Sequence, residues 1–127
     1  MTENEIAKIV VDAAFKVHVA LGPGLFESVY QRAMIYELRN RKLKIVAEHP
    51  ISVIYDGVNL GESFRADIIV DNKVILELKS VEHIAKVHKK QLLTYLRLAD
   101  IRLGLLINFG APLIKHGITR VANRLQE

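Results

Sequence analysis

The stretch RADIIVDNKVILELKS, Arg65 to Ser80, constrains the fold more than any other part of the chain. Two apolar runs flank a polar turn, Asp71-Asn72-Lys73, yet three charges, Asp67, Glu77 and Lys79, stand inside the runs rather than at the turn. Side chains alternate along a strand. Ala66, Ile68 and Val70, with Val74, Leu76 and Leu78, therefore make wholly apolar faces. Asp67 and Ile69 share the other face of the first strand, and Ile75, Glu77 and Lys79 that of the second. A two-residue loop at Asp71-Asn72 pairs Val70 with Lys73 and sends Asp67 and Glu77 to opposite sides. A three-residue loop, Asp71 to Lys73, pairs Val70 with Val74 and Asp67 with Glu77, and it stacks the apolar residues on one face. Burial of that face selects the second register, with an odd loop or an equivalent bulge.

This register sets two carboxylates side by side with Lys79 one step along. Like charges directly opposed are destabilising, so a cation, a proton or Lys79 must compensate. Two readings follow. In one, the carboxylates hold Mg²⁺, which favours oxygen ligands; the ion polarises a phosphodiester and acidifies a bound water. Lys79 then positions the water or stabilises transition-state charge. In the other, Lys79 forms a salt bridge to Glu77 or Asp67 on a half-exposed sheet face. An acid followed at a distance by Glu-x-Lys is a weak pattern in isolation. Asp71-Asn72-Lys73 also reads acid-x-Lys, and its place in a turn accounts for it.

Ahead of the hairpin the hydrophobic period is that of helices, and after Leu43 it changes from 3.6 to 2. Thr2 to Leu21 reads as a helix, with Ile6, Ile9, Val10, Ala13, Ala14, Val17, Ala20 and Leu21 on one face. Thr2 and Glu5 form a capping box, and Gly22-Pro23-Gly24 stops the helix. A second helix runs from about Leu25 to Arg41, with Val29, Ala33 and Tyr36 on its buried side, Phe26, Tyr30 and Met34 beside them, and Arg32, Arg39 and Asn40 in water. Then the period becomes 2. Ile45 to Tyr55 reads as a strand broken or bulged at Pro50, as suits an edge. Asp56-Gly57 is a turn, followed by strands over Leu60–Val70 and Lys73–Ser80, a helix over Glu82–Ala99, and strands over Leu103–Asn108 and Ile114–Val121. The order ααβββαββ specifies an α/β sandwich, and the 127 residues fit a single domain.

Along Glu82–Ala99, Ile84, Ala85, Leu92, Leu96, Leu98 and Ala99 form an apolar face with His88, Gln91 and Tyr95 in its middle. Buried polar groups need partners; these three read either as ordinary structural hydrogen bonds or as the lining of a polar pocket beside the hairpin. Lys86, Lys89, Lys90 and Arg97 fall on the opposite, solvated side. His18 reads as a hydrogen-bonded core histidine, and His49, His83 and His116 show no ligand spacing.

The chain has no cysteine, which excludes disulfides and thiolate metal sites. No basic-then-apolar leader and no run of about 18 apolar residues is present, so no membrane association is expected and a cytoplasmic location is. A net charge of +4 permits contact with a phosphate backbone. Without tryptophan or a basic–aromatic ladder, readout of single strands by stacking has little support.

Taken in order, these segments resemble a known family. GLFESVY carries the Gly-x-x-Glu-x-x-Tyr signature of the GxxExxY proteins at Gly24, Glu27 and Tyr30, and the likeness extends through VHVALGPG, RADIIV, LELKS, QLLTYLRL and GLLINFG. These proteins belong to the PD-(D/E)XK nuclease-like superfamily. The resemblance implies a restriction-endonuclease-like core, a mixed β-sheet flanked by helices, over residues 1–127. It implies Asp67, Glu77 and the backbone carbonyl of Leu78 as metal ligands and Lys79 as the catalytic lysine. Gln91 and Tyr95 match the helical motif that follows. Glu27 matches an acid that supports the site, although the helix dipole explains a first-turn carboxylate by itself. Ala66 stands where the superfamily often has proline. The implied activity is Mg²⁺-dependent phosphodiester hydrolysis, with Mn²⁺ as a substitute ion, on nucleic acid, DNA before RNA, by a monomer or a homodimer. The alternatives are a non-catalytic nucleic-acid-binding module that retains the fold and a protein-interaction module whose carboxylates serve the fold alone.

Overall fold

Thr2 caps the first helix as the sequence predicts: its hydroxyl accepts from the Glu5 amide and the Glu5 carboxylate accepts from the Thr2 amide. In this computed structural model, which describes residues 1–126 apart from the side chains of Glu62 and Ser63, the helix spans Glu3–Leu21 (α1). Helix α2 (Glu27–Asn40) follows, then strands β1 (Ile45–Tyr55), β2 (Val58–Val70) and β3 (Val74–Lys79), helix α3 (Lys86–Ala99), and strands β4 (Leu103–Asn108) and β5 (Ile118–Ala122). The described strands form one five-stranded sheet in the order β1-β2-β3-β4-β5. Only β3 and β4 pair in parallel; the other neighbours are antiparallel. No described helix is long and apolar enough to cross a membrane.

A parallel pair needs a crossover, and α3 supplies it. Its buried Leu92 and Leu96 join Ile51, Ala66, Ile69, Ile75 and Leu106 in one cluster. Gly104 leaves the room: a Cβ there would lie 2.9 Å from the Leu92 side chain. The larger cluster lies on the other sheet face, where Ile68, Val70, Val74, Leu76, Leu78, Leu103, Leu105 and Ile107 meet α1 and α2. The mixed sheet is thus flanked by helices on both sides, the predicted layer order.

Several boundaries move, each for a local reason. Helix α2 begins at Glu27, not Leu25, because the Leu25 backbone is already engaged: its amide donates to Tyr30 Oη and its carbonyl accepts from Ser80 Oγ. Its buried stripe is Tyr30, Met34 and Leu38, whereas Phe26 and Tyr36 are 83% and 66% exposed. On α1, Ala20 and Leu21 are exposed. Helix α3 begins at Lys86 rather than Glu82. The intervening loop is gripped by Asn108, whose amide oxygen accepts from the Val81 and Gly110 amides and whose nitrogen donates to the Val81 carbonyl. Ile114–His116 is a 3₁₀ turn instead of the start of a strand. Gly117 ends that turn against the Asn108 carbonyl, where a Cβ would come within 2.4 Å.

Strand β1 is an edge strand that runs unbroken through Pro50; its register shifts fall between Ile51 and Ile54. Ala66 packs on the α3 side, not with Ile68 and Val70. The alternation slips at Asp67, between the pairs Ala47↔Ile68 and His49↔Ala66, where Glu48 has left-handed φ 50. His18 is the predicted core histidine: its Nε2 bonds the Ala111 carbonyl at 2.9 Å.

Buried Glu37 is 8% exposed and accepts two cations, Lys16 at 3.0 Å and Arg41 at 3.8 Å. Asn108, with two hydrogen bonds to Val81 in the loop that follows β3 and one to Gly110, is the stronger lever on stability. Asn108→Ala is expected to lower the unfolding free energy in urea by about 2 kcal/mol or more, since it strands two amides and a carbonyl. A change below about 0.5 kcal/mol would contradict the grip described.

Candidate functional site

The three-residue turn pairs Val70 with Val74, as the register argument requires, and the β2–β3 ladder continues to Ile69↔Ile75 and Ile68↔Leu76. There it stops. Beyond that point β2 remains paired with β1, and β3 remains paired with β4. The strands part at Asp67 and Glu77, and side chains take over from the backbone. The Asp67 amide donates to Glu77 Oε1 at 3.2 Å, and the Leu78 amide donates to Asp67 Oδ2 at 2.8 Å. The Asp67 carbonyl accepts from Gln31 Nε2 of α2 at 3.1 Å. Backbone groups in such a place need partners, and here side chains supply them.

The predicted acid pair is therefore in contact, with Glu77 buried and Asp67 half-buried. Burial raises the Asp67 carboxyl above its ordinary range, against the Leu78 amide and the Lys79 charge, which lower it; the Glu27 carboxylate adds to the rise. Burial first and the Asp67 carboxylate second push Glu77 up to about 8. Each carboxyl accepts a backbone amide at the same gap, Glu77 from Asp67 and Asp67 from Leu78. With both carboxyls raised, the pair favours holding a proton near neutral pH, as expected of like charges that resist ionising together.

Lys79 follows at the end of β3, half-buried. Its charge acts on both acids, yet no ion pair within 4.0 Å involves it among the described residues. The salt-bridge reading of the hairpin fails on this point. Glu27 is exposed in the first turn of α2, close enough for its charge to act on Asp67. Tyr30 does not hold it. The Tyr30 hydroxyl donates to the Gly22 carbonyl and its ring stacks on Phe109 at 4.4 Å. Together with the Ser80 bond to Leu25, this fixes the loop ahead of Glu27 to the end of β3.

Tyr95 of α3 stacks on Phe64 of β2 at 3.8 Å. Burial first, then the Glu77 and Asp67 charges, raise its phenol. The other two polar residues of that helix behave differently. Gln91 is exposed, and His88 Nδ1 accepts from the Ala85 amide at the helix start. The buried face of α3 is narrower than the periodicity predicts, with Leu92 and Leu96 at its centre. Sequence reasoning missed Gln31, Ser80 and Asn108. Their side chains bond backbone atoms 36, 55 and 27 positions away, and no periodicity marks them.

The donor set suits a hard cation. Asp67 and Glu77 offer oxygens only, and Mg²⁺ is commonly held by one or two carboxylates with water. Among the described residues no cluster of three His, Asp or Glu side chains forms a metal site, so the pair stands without a third acid at ligand distance.

The sequence model of the PD-(D/E)XK nuclease superfamily matches residues 4–121. No curated protein and no solved structure matches the chain.

The carboxyl pair makes stability pH-dependent. The folded Glu77 carboxyl, at about 8, holds a proton that the unfolded group, at 4.5, has released. Its contribution is complete below the unfolded value, declines as pH rises, and is lost through the folded value. Between pH about 5 and about 8.5 in chelator, the parent's Tm is expected to fall further than that of Glu77→Gln, by about 5 °C. Equal slopes in differential scanning calorimetry would refute the proton held by the pair.

Proposed function

Since the chain belongs to the PD-(D/E)XK nuclease superfamily, we propose that it is a Mg²⁺-dependent nuclease that hydrolyses phosphodiester bonds, DNA in preference to RNA, with residues 1–127 as its nuclease domain. The observation that carries this reading is the Asp67–Glu77 contact at the point where β2 leaves β3, without a cation paired to either acid among the described residues. A fold that needed only stability has no use for a second carboxyl beside the first in a buried place, because desolvating such groups is costly. Nucleases of this superfamily generally use divalent metals.

In this reading Asp67, Glu77 and the Leu78 carbonyl hold the ion. When bound, it polarises the scissile phosphate and acidifies a water. Lys79 supplies a positive charge beside the acids that no described carboxylate neutralises within ion-pair distance. It orients the attacking water and stabilises the negative charge that grows on the phosphate oxygens. Glu27, from the start of α2, adds a second-sphere acid next to Asp67. Tyr95 stacks on Phe64 of β2, and its phenol feels the charge of both acids. Gln91, exposed and one turn earlier, is available to substrate. Helices α2 and α3 also carry exposed cations, Arg32 and Arg39 on α2 and Lys86, Lys89, Lys90 and Arg97 on α3. These suit a phosphate backbone, whose contacts are chiefly electrostatic.

Purified protein with Mg²⁺ or Mn²⁺ is expected to cleave DNA more readily than RNA. Asp67→Ala/Glu77→Ala and, separately, Lys79→Met should each reduce the rate by on the order of a hundredfold or more. Gel-resolved time courses read this directly. Cleavage that survives the double substitution would remove the assignment, and salt-dependent binding without turnover would replace it with a binding module.

A further inference from the structure

Gln31 lies outside every motif in the sequence, yet its side chain makes the contact that frees Asp67 from ordinary strand pairing. At Asp67 the β2–β3 ladder has ended, and the Leu78 amide is given to the Asp67 carboxylate. The Asp67 carbonyl then has no strand partner on β3, and Gln31 Nε2 takes it at 3.1 Å. We infer that Gln31 is a positioning residue that holds the Asp67 backbone turned away from β3, so that the carboxylate rather than the carbonyl meets the Leu78 amide and faces Glu77.

Three observations converge on this. Gln31 stands four positions after Glu27, so both lie on one face of α2. Its bond spans 36 positions of sequence and joins that helix directly to the strand that carries Asp67. The start of the helix is fixed independently, by Ser80 Oγ on the Leu25 carbonyl and Tyr30 Oη on the Leu25 amide. One end of α2 is therefore tied to β3 and its next turn to β2, across the gap in which the two acids meet. Without the Gln31 donor, the Asp67 carbonyl gains most by taking a donor on β3, which extends the Ile68↔Leu76 ladder and withdraws the carboxylate. Groups that orient metal ligands typically influence affinity by about 10–100-fold.

The inference rests on the metal-site reading for its effect on ion binding, but not for its effect on Asp67. The test separates the two. Gln31→Met keeps the length and removes the donor; Gln31→Glu keeps the shape and, ionised, also lacks the donor. In metal-free protein, NMR hydrogen exchange at the Leu78 amide is expected to accelerate about tenfold in both, while α1 and α3 amides keep parent rates. Mn²⁺ affinity by calorimetry is expected to weaken about tenfold. Parent-like Leu78 exchange overturns the inference, as does acceleration spread evenly over the whole chain or failure of both variants to fold. If the parent itself binds no Mn²⁺, the metal reading fails, and the Leu78 exchange still decides whether Gln31 sets the Asp67 carboxylate.

Discussion

Two hydrogen bonds in which carboxylates replace backbone carbonyls govern this structure: Asp67 N–H to Glu77 and Leu78 N–H to Asp67. They let β2 and β3 separate without leaving these two amides unsatisfied in a half-buried place. The separation opens a gap in the sheet's middle rather than at its edge; α2 reaches it through Gln31, and Tyr95 of α3 stacks on Phe64 farther along β2. The rest of the fold serves to keep the gap open. Asn108 grips the loop beyond Lys79, Ser80 ties β3 to the start of α2, and the Tyr30–Phe109 stack carries that tie back to β4.

The electrostatics follow from the same separation. Carboxylates that accept backbone amides are favoured as anions, but burial and mutual repulsion act the other way and win at Glu77. A group held in this balance exchanges its proton near neutral pH, which is the range in which a cation can compete for it. The near-neutral poise is thus a product of burial and of the partner chosen, and depends on no unusual backbone geometry at Glu77 itself.

The hairpin register was legible because only one loop length stacks the apolar residues, and that single deduction brings Asp67 and Glu77 together. Fold class and element order were legible for the same reason: each change of period is clear and the turns are well marked. Helix starts were not, because Leu25 and Val81 are held by side chains of Tyr30, Ser80 and Asn108, whose partners are remote in sequence. The slip of faces at Asp67 was hidden because it needs left-handed Glu48, a residue with no local signal for that conformation. The exposed Gln91 and the capping His88 show the limit of projecting a helix whose first turn is misplaced by four residues.

Glu37 and Glu77 are equally exposed, at 8% each. The first is given Lys16 and Arg41; the second is given another acid. The chain thus answers one physical problem twice, with its own counter-charges at the α1–α2 seam and with whatever the surroundings provide at the sheet gap. The two places consequently answer to different variables. Added monovalent salt screens the Glu37 pairs in proportion to their access to solvent, whereas the Glu77 pair responds to proton and multivalent cation activity. Composition of the medium therefore addresses the scaffold and the reactive gap separately.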